Sequence, residues 1–335
     1  MTRPRLSIAV VNYNSGYRLS QCIDSIAENK PSCSYEVIVV DNASRDGSAD
    51  FLRKRPRPAV QFIDSPANLL WTGGVNLAFA RSSGEYFLIL NPDHIVLPGA
   101  FDALVRHLDE DATLGGIGGY TLNLSGQYEP YVRGFPRPME VFLSNTGLAR
   151  LGPRRRRRPL LDGIDVTRPF EVPDAMSGCA IIRSALFKPP LLDPRFGVFW
   201  SDAELARNIH ARGARAMVFP DAQFIHDHDH EARRVRDPAS LRLVLDYLVG
   251  CQVYFRKFGG GWEAVIVKVL FVGSSVAALS LKHVPRALVG REPWPMLRAR
   301  ARMVGDVMLG RNRLLAEARE GARQAGLHDA FENGS

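Results

Sequence analysis

Apolar runs and helix-period stretches alternate along the first hundred residues. LSIAVVN is followed by a helical pattern near Tyr17 to Glu28, YEVIVVD by one near Ser48 to Arg55, VQFIDS by one near Gly74 to Arg81, and YFLILN closes the series. Apolar runs without polar alternation are strands covered on both faces, and strands spaced by helices build a mainly parallel sheet flanked by helices, an α/β fold. Ligands of such sheets bind beyond the carboxyl ends of the strands. Those ends read Asn12 and Asn14, then Asp41 and Asn42, then Asp64 and Asn68, then Asn91 and Asp93. Four polar clusters in this position predict one shared cleft.

The pattern changes further on. Residues 120 to 170 are rich in Gly, Pro and Arg and read as loop or flap, and an apolar pattern returns at VPDAMSGCAIIR. FGVFWSDAELARNIHARG places Asp202 and Glu204 at the start of a helix whose Leu205 and Ile209 share one face. From about 238 onward the chain reads as helical, so it divides at 237 into an α/β domain and a C-terminal region. Within that region Ala264 to Leu281 is an apolar run interrupted by Lys268 and a few small residues. As a helix it would be about 27 Å long, near the roughly 30 Å of a bilayer core, but Lys268 and the serines favour a helix lying in the interface over one that spans. A helix packed on the rest of the protein, or in a homodimer, is the other reading of the same run.

Composition narrows the classes. The 335 residues, 46% hydrophobic, can bury a sizeable core, and the formal charge is +8. Arg154 to Arg158 alone supply five positive charges, so the excess is local and argues against nucleic acid as a partner. Arg298, Arg300, Arg302, Arg311 and Arg313 stand among apolar residues of the tail, a pattern suited to anionic lipid or to a solvated helix face. Cys22, Cys33, Cys179 and Cys251 show no paired metal spacing, as expected of a reduced, cytoplasmic chain. MTRPRLSIAVVNYN carries no cleavage-site pattern and reads as a first strand and not as a signal peptide.

Several stretches carry chemistry. In VVDNASRDGS, Asp41 can accept hydrogen bonds from a ribose or a base N–H, while Ser44, Asp46, Gly47 and Ser48 are turn and capping residues. NLLWTGGVN combines Asn68, Gly73 and Asn76 before a helix, a composition for close backbone approach and capping. Asn91-Pro92-Asp93 ends a buried strand on a carboxylate, which suits a divalent cation held together with substrate phosphates and equally makes an ordinary turn. Asp202 and Glu204 also complement a helix dipole. His226, His228 and His230, with Asp227 and Asp229 between them, offer metal ligands, and His226 is the one singled out.

Taken together, these segments resemble the family-2 nucleotide-sugar glycosyltransferases, in particular the rhamnosyltransferase-like branch, over about residues 5 to 235. SIAVVNYN is similar to the opening strand, VVDNASRDGS to the nucleotide-binding segment, NLLWTGGVNLAFA to the donor segment, and GEYFLILNPDHIVLPGA to the metal-binding segment with Asn-Pro-Asp in place of Asp-x-Asp. SGCAIIR resembles the acceptor-side loop and FWSDAELARNIHARG the segment with the general base. The resemblance implies a GT-A type fold with a donor half at about 1–120 and an acceptor half at about 121–237. It implies donor contacts from Asn12, Asn14, Asp41, Asn68, Gly73, Asn76 and Asn91, and Mg2+ or Mn2+ on Asp93 and His226. It implies acceptor contacts from Ser177, Gly178, Trp200 and Glu204, and Asp202 as base. Two departures stand out: Ser201 where the family commonly has an acid, and His94 where a small residue is usual.

The expected reaction is a single inverting displacement from a dTDP- or UDP-linked sugar, L-rhamnose foremost, onto a hydroxyl of a cell-surface polysaccharide or polyprenyl-linked glycan. The expected location is peripheral, at the inner face of the cell membrane. The Ser201 departure favours an alternative, a catalytically inactive nucleotide-sugar-binding or scaffold protein. A nucleotidyltransferase would need a glycine-rich basic loop that MTRPRLSIAVVNYNSG lacks.

Overall fold

Every residue of the first apolar run, Leu6–Asn12, is buried, and this run is the central strand β1. The structure is a computed structural model describing residues 3–55, 57, 59–129, 135–146, 164–173, 178–227, 240–289 and 293–331. After β1 come α1 (Arg18–Glu28), β2 (Tyr35–Asn42), α2 (Asp50–Lys54), β3 (Val60–Ser65), α3 (Leu70–Arg81) and β4 (Tyr86–Leu90). Next are β5 (His94–Val96), α4 (Ala100–Glu110), β6 (Leu114–Leu122), α5 (Pro138–Thr146), β7 (Phe170–Glu171), β8 (Cys179–Arg183), α6 (Ser201–Ala211) and β9 (Arg215–His226). The rest is helical: α7 (Ser240–Phe258), α8 (Gly261–Ala278), α9 (Val284–Leu288), α10 (Trp294–Leu309) and α11 (Arg313–Gln324).

The strands form one sheet in the order β3-β2-β1-β4-β8-β6-β9-β5, with β7 beside β9. β3, β2, β1 and β4 are parallel, as the alternation predicts. Beyond β4 the sheet is mixed, for β8 runs antiparallel to β4 and β6, and β5 and β7 antiparallel to β9. The parallel pairing expected of the sheet therefore holds among the first four strands and again between β6 and β9, and β8, β5 and β7 are the antiparallel additions. Helical crossovers enforce parallel pairing among the first four strands, whereas β8 and β5 enter the sheet in the opposite direction.

Alternate residues of each central strand serve opposite faces. Ile8, Val10, Leu88 and Leu90 pack with Leu19 and Ile23 of α1 and Phe101 and Leu104 of α4. Ala9, Val11, Phe87 and Ile89 pack with α3, with Leu205 and Ile209 of α6, and with Leu315, Ala318 and Ala322 of α11. The helical C-terminal region thus completes one of the two core layers and is not an appendage. Helices α7, α8 and α10 build a further cluster around Phe196 and Trp200.

Helix α3 begins at Leu70, four residues before the predicted start at Gly74. Asn68 Oδ1 accepts the Leu70 N–H at 2.9 Å, and both glycines lie inside the helix. A Cβ on Gly74 would stand 2.5 Å from Val11 Cγ1, so the absence of a side chain is what lets α3 approach β1.

Candidate functional site

Beyond Leu90 the chain makes a turn and restarts. Asn91 N–H donates to the Gly178 carbonyl at 2.7 Å, and the His94 N–H closes the turn onto the Asn91 carbonyl at 3.1 Å. β5 then pairs antiparallel with the end of β9 in a register that sets His94 opposite His226. The ligand atoms of Asp93, His94 and His226 all lie within 4.8 Å of one another. One Asp93 oxygen is 3.0 Å from His94 Nδ1 and the other 3.3 Å from His226 Nε2, and the two imidazoles stack at 4.6 Å. Glu129 Oε2 lies 2.9 Å from His226 Nδ1. His94 is 2% exposed, and its buried Nε2 has no hydrogen-bond partner among the described residues.

Burial disfavours the Asp93 charge, but contacts with His226 and His94 outweigh it and hold the carboxyl well below the usual range. Burial pushes the His94 pKa down despite the adjacent carboxylate, so this ring is neutral near pH 7. Burial acts in the same sense on His226, yet Asp93 and Glu129 together raise it. An ionised carboxylate, a neutral imidazole with an orphaned nitrogen and a second imidazole oriented by Glu129 make a donor set that fits a divalent cation.

The nucleotide-side cluster is more buried than the sequence implies. Asn12 Nδ2 donates to Asp41 Oδ1 at 2.6 Å, Ser48 Oγ at 2.9 Å and Ser44 Oγ at 3.1 Å. The Asp41 carboxylate is 0% exposed and also accepts from Arg53 Nη2 at 2.6 Å and the Ser44 N–H at 3.1 Å. Asp41 therefore anchors the turn and Arg53. Arg53 in turn holds Asp64 at 2.7 Å, and Asp64 is the solvent-facing acid here. Asn14, in the left-handed region at φ 49°, accepts the Arg45 N–H at 2.8 Å.

Two residues expected on the donor face elsewhere. Asn76 is fully buried and bonds Leu192 O at 3.0 Å, Ala330 O at 3.2 Å and Leu192 N at 2.8 Å, which clamps α3 to distant chain. A Cβ on Gly73 would meet Phe331 Cζ at 2.7 Å, so this glycine makes room for a packed ring. Asn68 caps α3, as its bond to Leu70 shows.

A hydrogen-bonded path joins the metal-ligand group to the start of α6. Trp71 Nε1 donates to Asn91 Oδ1 at 3.1 Å, Thr72 N–H to Gly197 O at 3.0 Å and Thr72 Oγ1 to Ser201 Oγ at 3.1 Å. Ser201 is 0% exposed, and its place opposite a neutral hydroxyl accounts for the missing acid there. Asp202 follows, half-buried in the first turn, its Oδ1 accepting the Ala203 N–H at 2.9 Å.

The acceptor-side expectations fare differently. Glu204 is 1% exposed and bonds Asn208 Nδ2 at 2.7 Å, Lys257 Nζ at 2.8 Å and Asp193 N at 3.0 Å, a structural carboxylate and not an open one. Trp200, at φ 77° and 8% exposed, packs on Tyr247 and Tyr254 of α7 and belongs to the core. Gly178 adopts φ 76°, where a Cβ would meet Asn91 Nδ2 at 2.5 Å, so it supports the strand-end turn. Ser177, His228 and His230 lie outside the described residues. His94, Glu129 and Trp71 were not marked as site residues by sequence. His94 differs in sequence from the small residue usual there, and the strand register that makes it a neighbour of His226 leaves no trace in a three-residue strand.

The family model described as Glycosyl transferase family 2 matches residues 7–189. The chain belongs to glycosyl transferase family 2. A poly(ribitol-phosphate) beta-glucosyltransferase of Bacillus spizizenii is 32% identical over 125 residues, 34% of this chain and 19% of that protein. An uncharacterized glycosyltransferase of Haemophilus influenzae is 25% identical over 119 residues, 35% of this chain and 36% of that protein. The family 2 chain thus spans little more than a third, at most, of the length of these relatives. Among solved structures, that of GalNAc-T7 with UDP, GalNAc and Mn2+ aligns over 99% of this chain and 59% of its own, with 15% identity and a TM-score of 0.53. That is a likeness of fold, and it agrees with a GT-A type α/β architecture for this family member.

Proposed function

We propose that this chain is an inverting glycosyltransferase that moves a sugar from a nucleoside diphosphate donor to a hydroxyl. The observation that carries the proposal is the Asp93–His94–His226 group at the end of β4, linked through Trp71 and Thr72 to the α6 start that bears Asp202. Asp93, His94 and His226 would hold a divalent cation, which when bound supplies positive charge against the departing diphosphate. Two imidazoles beside one carboxylate favour Mn2+ over Mg2+, since Mg2+ prefers oxygen ligands. Glu129 keeps the His226 ring oriented.

Asp202 takes the proton from the acceptor hydroxyl as that oxygen attacks the anomeric carbon from the face opposite the diphosphate. One displacement at that carbon inverts its configuration. Asp202 stands in the first turn of α6, where a helix N-terminus favours negative charge, a suitable place for a base. Resemblance of NLLWTGGVNLAFA to the rhamnosyltransferase-like branch supports L-rhamnose from dTDP-rhamnose as donor, with a UDP-linked sugar next. The acceptor proposed with it is a cell-surface polysaccharide or a lipid-linked glycan. A screen of nucleotide sugars with purified protein and Mn2+ or Mg2+, reading free nucleoside diphosphate, tests this directly. Release from none of the donors with either cation would overturn it.

A further inference from the structure

The side of α8 turned away from the protein is apolar. At about 100° per residue, Ala264, Val267 and Phe271 share one side of the helix, and all three are buried in the cluster that contains Leu245, Leu248 and Val249 of α7. The opposite side carries Val265, Val269 and Val276 in one column with Trp262 beside it, while Val272 at its edge is partly buried against the same cluster. Trp262 is 65% exposed, Val265 60% and Val269 64%. The exposed run continues past α8 through Leu281, Leu288 and Val289. A continuous apolar stripe of this length marks an interaction surface, whereas singly scattered apolar residues do not.

Gly261–Leu288 is, among the described residues, one helical stretch long and apolar enough to cross a bilayer. Its inner side is nevertheless packed on α7, which carries Arg242, Asp246, Arg256 and Lys257. A crossing would take those charges into hydrocarbon, which is costly, so a flat orientation fits and a transmembrane one does not.

The charges around the stripe select its partner. Between Glu263 and Glu292 the sequence has no acidic residue but has Lys268, Lys282, Arg286 and Arg291. Lys268 falls on the flank between the buried and exposed sides of α8, where its ammonium can reach headgroups. On α10, which packs against α8, Trp294, Arg298 and Arg302 recur every four residues and are all exposed. Trp262 and Trp294 are the residue type favoured at a membrane interface. A second copy of this chain would set the same basic flank against itself, whereas an anionic lipid surface complements it.

We propose that α8 and α9 lie flat on an anionic membrane surface, such as the inner face of a cell membrane, with α10 adding cationic contacts. This docking is independent of which sugar the chain transfers. The test uses the whole chain, because α11 and Phe331 complete the core beside α3. Full-length protein is floated with vesicles of phosphatidylcholine alone or mixed with phosphatidylglycerol, at low and high salt. We expect flotation with the mixed vesicles, loss of it at high salt, and little with phosphatidylcholine alone. Val265→Asp with Val269→Asp should abolish flotation at an unchanged melting temperature, since both side chains are exposed. Arg298→Gln with Arg302→Gln, which leaves the apolar stripe intact, should weaken partitioning about fivefold per arginine. A wild-type protein that stays soluble with mixed vesicles at low salt would overturn the proposal. So would aspartate or glutamine variants that float as the wild type does. A concentration-dependent dimer in sedimentation, abolished by the aspartates without any vesicle binding, would assign the stripe to a second copy and overturn it as well.

Discussion

Asp202 and Glu204 stand two residues apart on α6, and replacing each should break a different property. Glu204→Ala removes the acceptor of three hydrogen bonds, from Asp193 N at 3.0 Å, Asn208 Nδ2 at 2.7 Å and Lys257 Nζ at 2.8 Å. It leaves the Lys257 ammonium, with a side chain 27% exposed, on Asp193 alone. Breaking a buried ion pair on one side costs about 3–5 kcal/mol. That is at least about a fifth of the total stability typical of a domain. Removing both charges with Glu204→Ala and Lys257→Met should recover part of the loss, because no buried charge is then left unpaired. Asp202→Asn should instead cost at most about 2 kcal/mol, the worth of a carboxylate at a partly buried helix start. Its transfer rate should fall about 10²- to 10⁴-fold. Urea denaturation at pH 7 measures the first pair of effects, and initial transfer rates well below the midpoint measure the second. A Glu204→Ala protein that unfolds like wild type yet loses transfer would return Glu204 to the acceptor site. An Asp202→Asn enzyme within about tenfold of wild type would remove Asp202 from the role of base.

The other predictions address the metal group, the packing and the loop before α6. Asp93→Ala should abolish Mn2+-dependent binding of nucleoside diphosphate in calorimetry while circular dichroism stays unchanged, and retained metal-dependent affinity would remove Asp93 from the ligand set. His94→Leu, close in volume and without a nitrogen donor, should lower the ratio of Mn2+ to Mg2+ affinity about tenfold, read by competition with either ion. Gly73→Ala should cost about 1–3 kcal/mol through overlap with Phe331, leaving nucleotide affinity unaltered when measured on the folded fraction. Burial raises the pKa of Asp246 against the hydrogen bonds from Asn312, Val198 and Phe199. Such an acid holds its proton more tightly folded than unfolded, so stability falls as pH rises from about 4 toward the raised native value. Asp246→Asn should remove that slope in denaturation at pH 4 and pH 7, and an equal slope in both proteins would refute the assignment.

Hydrophobic periodicity alone determined the parallel half of the sheet. LSIAVVN, YEVIVVD and YFLILN are too apolar for a one-sided strand and lie inside the sheet, VQFIDS with its three polar residues forms the partly exposed edge strand β3, and all four join one parallel run. The polar residues that end them also follow from sequence, as does the helix start at Asp202, where apolar spacing and first-turn acids agree. What those polar residues do was decided by tertiary structure. Asn12 and Asp41 end adjacent strands in register and spend their hydrogen bonds on each other and on Arg53. Asn76 and Gly73 are drawn away from the cleft by chain about 250 residues further along, at Ala330 and Phe331. Glu204 is buried by Lys257 of α7, a partner that no local pattern announces. His94 and Glu129 reach His226 through the pairing of β5 with β9 and a side chain beyond β6. Local periodicity records which face of an element is buried. It carries no record of which distant element covers that face, and the partner is what turns a polar residue into a ligand, a clamp or a cap.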